Sequence, residues 1–398
     1  MIKKIFILVT ISFQTIYAQN IESILDLVDK NNHTLKQQQN MIYSNKVGID
    51  LSQTWKNPVL GFGINDINLD DPTSRDIEAM QTQYITYSQS IPTNGKLETQ
   101  KKIQEYSLQI QKLQYENNKK KLKSQALKYS YNIYFEQKKL EIINKYLQNL
   151  EKQKSLMKLL YENGKIDQSK IVNIDIRIYK LKLQKQKLDY LLSQQKLFLE
   201  NIVYQKIDTI AFSIDKYKRV FDTKNAIQNH PLVMIEKLKI QQQKEQTNLI
   251  EKEKISDVKF TVGYYEREKF DDYISFNVAI PLSIQGTEKL KMKKSHFNTM
   301  ALKDNLKSLE QQLKITIKEL ESKMKVSKQN FELIEKTMIP LNDTLEESHT
   351  IHLSTNMMNS ISIYESTNSK YELMLLSKTE KLSFFNAKSK LLYFKGNL

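Results

Sequence analysis

His349 and His352 stand three residues apart, close to one helical turn, and Met357 and Met358 follow them. Imidazole and thioether groups suit copper-like ions, so this cluster raises a metal-handling reading. The plainer reading is that these side chains cap and pack the tip of a helical hairpin. Little else in the chain has the makings of a reactive centre. There is no cysteine, hence no disulfide, no thiol nucleophile and no thiolate metal site. The 8 glycines form no phosphate-binding loop and no hydrolase motif occurs. Carboxylates are plentiful, but they sit on polar helix faces where they act as surface charge. No catalytic residue and no cofactor is expected, and the chain does not read as an enzyme.

The formal net charge of +16 invites comparison with nucleic-acid-binding proteins. Only Arg75, Arg177, Arg219 and Arg267 supply guanidinium groups, and arginine is the better partner for bidentate phosphate contacts. The lysines are interleaved with Glu and Gln along predicted helices, without a concentrated basic arm. That pattern describes a solvated helix surface, and no nucleic-acid partner is expected.

The N-terminus carries an export signal. Lys3 and Lys4 precede an apolar run reaching Phe13, and Ile16-Tyr17-Ala18 resembles a small-residue cleavage site, so residues 1–18 read as a signal peptide. The run is too short to span a bilayer as a helix, and no other stretch approaches ~18 consecutive apolar residues. With no cysteine at the cleavage site, an N-terminal lipid anchor is not expected.

The elements that must position any site are written twice. Asn32-His33-Thr34-Leu35 opens a polar helix, a strand pair follows, and Ile91-Pro92 with Gly95-Lys96 starts a very long helix. Asn229-His230-Pro231-Leu232, a second strand pair, and Ile280-Pro281 with Gly286 repeat the order. The expected division is a first repeat over 19–203, a connector over 204–224 and a second repeat over 225–398. In the first hairpin Leu60, Phe62 and Ile64 alternate with Val59, Gly61 and Gly63. Ile85 and Tyr87 then alternate with Thr86 and Ser88. In the second, Phe260, Val262 and Tyr264 share a face, as do Ile274, Phe276, Val278 and Ile280; the intervening positions are Thr261, Gly263, Tyr265, Tyr273, Ser275, Asn277 and Ala279. A soluble sandwich shows such alternation, and so does a lipid-facing barrel strand of about 9–11 residues. Ile274, Phe276, Val278 and Ile280 are therefore predicted to face lipid. Trp55, Tyr84, Tyr87, Tyr264, Tyr265 and Tyr273 are candidates for an interfacial aromatic belt. Four strands cannot close a barrel; three copies of the chain supply twelve.

With 8 Gly and 6 Pro in 398 residues, the remainder is expected to be helical. A first helix is predicted over 21–55 and an unbroken rod over 96–162. A second rod is predicted over 287–338, with Pro340 as a kink before continuation toward 354. At ~1.5 Å per residue the rods reach on the order of 80–100 Å. Shorter helices are predicted over 167–203, 230–254 and 357–386 with its tail. On the helix over 167–203, Ile174, Leu181 and Leu188 recur every seven residues, as do Ile176, Leu183, Tyr190 and Leu197. The two series lie about 200° apart, which suits a helix with a neighbour on each side, as in the wall of a cylinder.

In this order the motifs resemble the TolC-like outer-membrane efflux proteins. The resemblance rests on Asn57-Pro58, on Ser88-Gln89-Ser90-Ile91-Pro92 with Gly95-Lys96, and on Ile280-Pro281-Leu282. It rests too on Tyr161-Glu162-Asn163-Gly164, echoed by His352-Leu353-Ser354-Thr355-Asn356. It implies a mainly α fold with a small β-barrel contribution. Long helical hairpins would build a trimeric α-barrel in the periplasm, and four transmembrane strands per chain a barrel in the outer membrane. It further implies a homotrimer in contact with outer-membrane lipid, docking on an inner-membrane pump through a periplasmic adaptor. Acidic residues that line the family's periplasmic aperture match Ser362 and Glu365 here. Glu365 keeps the charge and Ser362 does not; the resemblance then implies one acid ring that tunes cation passage, and the alternative is an ordinary solvated glutamate on a helix. The implied function is a passive exit duct. A secreted or periplasmic coiled-coil scaffold is the alternative, and the apolar strand faces separate the two, since a scaffold has no use for them.

Overall fold

Gly and Pro stand at several of the element boundaries, among them Pro58, Pro92, Gly95, Gly164, Pro231 and Gly286. The computed structural model describes residues 19–207, 210–211, 223–351 and 358–395. Along the chain these form β1 (Gln19–Asn20), α1 (Ile21–Asn31), α2 (His33–Leu51), β2 (Val59–Asn65), β3 (Thr82–Ile91), α3 (Lys96–Glu162) and α4 (Gln168–Val203). There follow β4 (Ile210–Ala211), α5 (Thr223–Gln228), α6 (Pro231–Lys252), β5 (Val258–Glu266), β6 (Tyr273–Ala279), α7 (Thr287–Leu333), α8 (Ile339–Ile351) and α9 (Met358–Lys395).

With no internal Gly or Pro, α3 continues unbroken for 67 residues. It stops where Gly164 takes φ 68°. There Lys165 N–H donates to Leu160 O and Gly164 N–H to Tyr161 O, both at 2.8 Å, the paired closure that a left-handed glycine permits. The helix predicted over 21–55 is instead split. Asn32 leaves the helix at ψ 114°; its Oδ1 accepts the Leu35 N–H and its Nδ2 donates to Ile202 O at 2.9 Å. A side chain that caps the next helix while tying down a distant carbonyl competes successfully with one helical turn. The kink at Pro340 takes the form of a π-helical turn, Ile334–Met338, between α7 and α8. Proline has no N–H to give the carbonyl four residues back and crowds it, and a wide turn relieves that misfit without ending the helix.

The chain divides into two compact units, and each draws on both halves of the sequence. One comprises the described residues within 19–35, 118–227 and 312–395. In it α1 buries Ile21, Ile24, Leu25 and Val28 and packs on α4, while β1 pairs in parallel with β4 inside the predicted connector. Helices α3 and α4 share an apolar seam built from Ile143, Leu150, Met157, Ile174, Ile178 and Leu181. The seam between α3 and α9 has a polar part: Asn149 Nδ2 donates to Asn368 Oδ1, and Asn368 Nδ2 to Gln153 Oε1, each at 2.8 Å. Helix α8 packs on the other side of α9, with Asn342 Nδ2 donating to Ser366 O at 3.0 Å and Lys370 paired with Asp343 at 2.6 Å. The helices thus adjoin in the order α4, α3, α9, α8.

The second unit comprises Lys36–Asn117 and Gln228–Gln311. Here α6 lies between the first part of α3 and the first part of α7. Gln242 donates to Ile103 O at 3.2 Å on one side; Gln243 donates to Ser295 Oγ at 2.7 Å and Asn305 to Glu236 at 3.0 Å on the other. His230 caps α6 by accepting the Leu232 N–H on Nδ1, with Pro231 at the first helical position.

Asn368 and Gln153 are both almost wholly enclosed. Asn368→Ala removes the group that satisfies both Asn149 and Gln153, and is expected to destabilise the detergent-solubilised protein by about 1–3 kcal/mol. An unchanged thermal unfolding midpoint would show that this polar seam carries no such weight.

Candidate functional site

The four long strands form one antiparallel sheet in the order β2-β3-β5-β6. Its register aligns the alternating pattern of every strand. Leu60, Tyr87, Val262 and Phe276 form one cross-strand row, and Phe62, Ile85, Tyr264 and Ile274 the next. These rows lie on one face and are open to solvent: Phe62 is 77 % exposed and Ile274 73 %. The opposite face carries Val59, Ser88, Thr261 and Asn277 in one row and Gly61, Thr86, Gly263 and Ser275 in the next. Among the described residues β2 and β6 are edge strands, each bonded on one side alone.

Of the candidate lipid-facing residues, Ile274, Phe276 and Val278 share this apolar face on β6. Ile280 lies one residue beyond the strand, which ends at Ala279, and is exposed there. The candidate aromatic belt divides. Tyr87 and Tyr264 stand on the apolar face, whereas Tyr84, Tyr265 and Tyr273 align in a row on the other. Period-two alternation fixes this, because odd and even positions of one strand cannot share a face.

The sheet is fastened to the helices through the turns that follow its strands. Asn94 and Gly95 take φ 58° and 65° at the exit of β3, and Gly286 takes φ 72° ahead of α7. Lys96, largely enclosed, pairs with Asp257 at 2.6 Å, and Thr93 donates its hydroxyl to Ser256 O at 2.9 Å. Lys252 reaches back from α6 to Thr99 Oγ1 at 2.8 Å. The Gly-Lys pair, legible in the sequence as punctuation, also bolts β5 to the start of α3.

In the other unit, Ser362 and Glu365 occupy the first turns of α9, three residues apart on one side of the helix; Ser362 is half-buried and Glu365 exposed. His349 lies on α8, while His352 and Met357 fall outside the described residues. The two stripes of α4 have different fates. Ile178 is 2 % exposed, and Ile174, Leu181 and Leu188 join it in the core, whereas Leu183 is 66 % exposed and Ile176, Tyr190 and Leu197 share its side. At the far side of the layer α8 leaves Leu341, Leu345 and Ile351 exposed, and Leu333 at the end of α7 does the same. This second apolar edge was not anticipated, because the π turn shifts its spacing away from a seven-residue repeat.

No family model matches the sequence, and no curated protein does. Solved structures do. A crystal structure of CusC matches with a TM-score of 0.77 at 10 % identity, over 95 % of this chain and 92 % of that one. The Campylobacter jejuni CmeC outer membrane channel matches with a TM-score of 0.77 at 11 % identity, over 95 % and 87 %. A membrane protein from Pseudomonas aeruginosa matches with a TM-score of 0.79 at 9 % identity, over 95 % and 90 %. The chain has the fold of the TolC-like outer-membrane channels. The four-stranded sheet and the long helices expected from the sequence are features of that fold as it appears here. Among the described residues no helix is long and apolar enough to cross a membrane.

A buried acid on α3 escaped the sequence reading. Glu136 is 7 % exposed, and its Oε2 accepts no hydrogen bond. Burial lifts its carboxyl to about 7, with Lys139 opposing the shift only in part; the same burial holds the Lys139 ammonium below its ordinary value. The group's folded value lies above its ordinary 4.5. Between those values the unfolded chain releases a proton that the folded chain keeps, so stability falls as pH rises through that window and levels off above it. Glu136→Gln is expected to raise the thermal midpoint at pH 8 and leave it little changed at pH 4. The same change at both pH values would contradict this account.

Proposed function

We propose that this protein is an outer-membrane exit duct, conducting substrates passively from periplasm to exterior as part of a tripartite efflux or secretion system. The observation that carries the reading is the sheet: a continuous exposed apolar face, a small and polar opposite face, and two open edges, on the fold of known outer-membrane channels. Three copies joined edge to edge, β2 to β6, would close a twelve-stranded barrel with its apolar face toward lipid. The exposed stripes of α4 and of α7–α8 would meet between neighbouring subunits and complete a helical cylinder in the periplasm. A periplasmic adaptor and an inner-membrane pump are the partners such a duct requires. We read residues 1–18 as the export signal, and 19–203 and 225–398 as duplicated repeats joined by 204–224. The protein needs no catalytic residue and no cofactor for this role. A coiled-coil scaffold would leave the sheet's apolar face without purpose.

In the proposed trimer, Glu365 brings three carboxylates toward one axis, and Ser362 stands beside them without charge. Converging like charges in a narrowing pore attract cations. Glu365→Gln is expected to lower cation selectivity in single-channel recordings while trimers still assemble. Unchanged selectivity and conductance would place the aperture elsewhere.

The lipid-facing assignment has its own test. Phe276→Lys is expected to cost on the order of 2–4 kcal/mol if the residue lies near the bilayer midplane, and so to deplete assembled protein from the outer-membrane fraction. Normal assembly of this variant would count against the orientation of the sheet.

A further inference from the structure

The chain is strongly basic, but one end of its sheet is not. The two loops that join the strand pairs, residues 66–81 and 267–272, together with Glu266 at the end of β5, hold nine carboxylates against Arg75, Arg267 and Lys269, a formal charge of −6 in a chain of +16. The three cations are already engaged. Arg75 pairs with Glu266 at 3.3 Å, Lys269 pairs with Asp76, and Arg267 donates through Nε to Asp271 O at 2.7 Å. The surplus of negative charge is therefore left facing solvent at the sheet end opposite the helices.

Immediately inside this rim, on the small and polar face, runs the tyrosine row. The Tyr84 and Tyr265 rings lie 5.4 Å apart, and the Tyr265 and Tyr273 rings 4.8 Å apart with planes 2° from parallel. Glycines make room for them. A Cβ on Gly63 would stand 2.5 Å from the Tyr84 hydroxyl oxygen, and one on Gly263 2.7 Å from Tyr265 Cε2. The next two rows carry nothing larger than Val, Thr or Asn, and Lys259 stands only in the third, so the tyrosine row is a broad aromatic step above the two low rows beside it. It already takes a planar cation from its own chain, since the Arg267 guanidinium stands 5.0 Å from the Tyr273 ring centroid.

We infer that the Tyr84–Tyr265–Tyr273 row and the acidic loops beside it form a transit site for planar aromatic cations at the outer mouth of the pore. This rests on the reading that the apolar face meets lipid, which turns the tyrosines into the lumen. The acidic rim raises the local concentration of cations, and the ring faces hold those that are flat and aromatic by stacking and cation–π attraction. Three subunits would present three such rows as oblique arcs around the lumen, since barrel strands tilt.

The test is single-channel recording of the full protein in planar bilayers at low salt, with N-methylquinolinium or tetramethylammonium added on the loop side. Quinolinium is expected to give interruptions lasting about tenfold longer than tetramethylammonium, the size of one cation–π and stacking contact. The triple variant Tyr84→Ser, Tyr265→Ser, Tyr273→Ser should shorten them to the tetramethylammonium level, while the triple Phe variant keeps them long. Tyr273→Ser alone, at the sheet edge, should shorten them in part and serves if the triple Ser variant does not assemble. Glu268→Gln with Asp271→Asn should make interruptions rarer without shortening them. Equal durations for the two cations in a conducting wild-type channel would overturn the site and leave the duct standing. A wild-type protein that forms no channel would overturn both.

Discussion

The unpaired edges of the four-stranded sheet are the constraint on which the rest depends. Among the described residues, β2 and β6 each present a row of backbone donors and acceptors with no strand partner. In water such edges can be solvated, whereas the adjoining apolar face is left exposed at a cost. In hydrocarbon the face is satisfied and the edges are not, because each unmet backbone group costs several kcal/mol there. In the proposed trimer, closure with other copies would meet both demands at once.

The helices repeat the same logic with side chains. In α4 one stripe is consumed by the chain's own core and the other is left open, and α8 with the end of α7 leaves a matching apolar edge at the far side of the layer. In the proposed trimer, a layer of four helices apolar at both margins would serve as a segment of a closed wall. The seams inside the segment differ in kind. The α3–α4 seam is apolar and tolerant of small shifts, whereas the α3–α9 seam includes directional amide pairs that fix register.

Much of this was legible in the sequence, because a chain so poor in Gly and Pro announces its boundaries. The rod predicted over 96–162 has those bounds, and the strand faces fall as alternation requires. The departures have local causes. Asn32 breaks the first helix through hydrogen bonds to a residue 170 positions away, which no local pattern reveals. The pairing of β1 with β4 involves two residues per strand, too few for any periodicity. Pro340 signalled a fault in the second rod but not its form, a π turn. The tyrosines were read as one belt by composition, and register divides them between two faces. Of the candidate site residues, the lipid-facing set rested on an eight-residue alternation and the gate pair on resemblance alone. Glu136 gave no signal, because a glutamate among lysines on a helix looks like surface charge until its neighbours in space are known.

Assembly is the claim from which the duct, the barrel and the mouth all follow. The direct measurement is the mass of the detergent-solubilised particle by native mass spectrometry. The account predicts three copies of the chain in one particle, with no folded monomer surviving removal of detergent. A stable, monodisperse monomer in detergent-free buffer would contradict it, because a lone chain cannot satisfy both the edges of its sheet and the open stripe of α4.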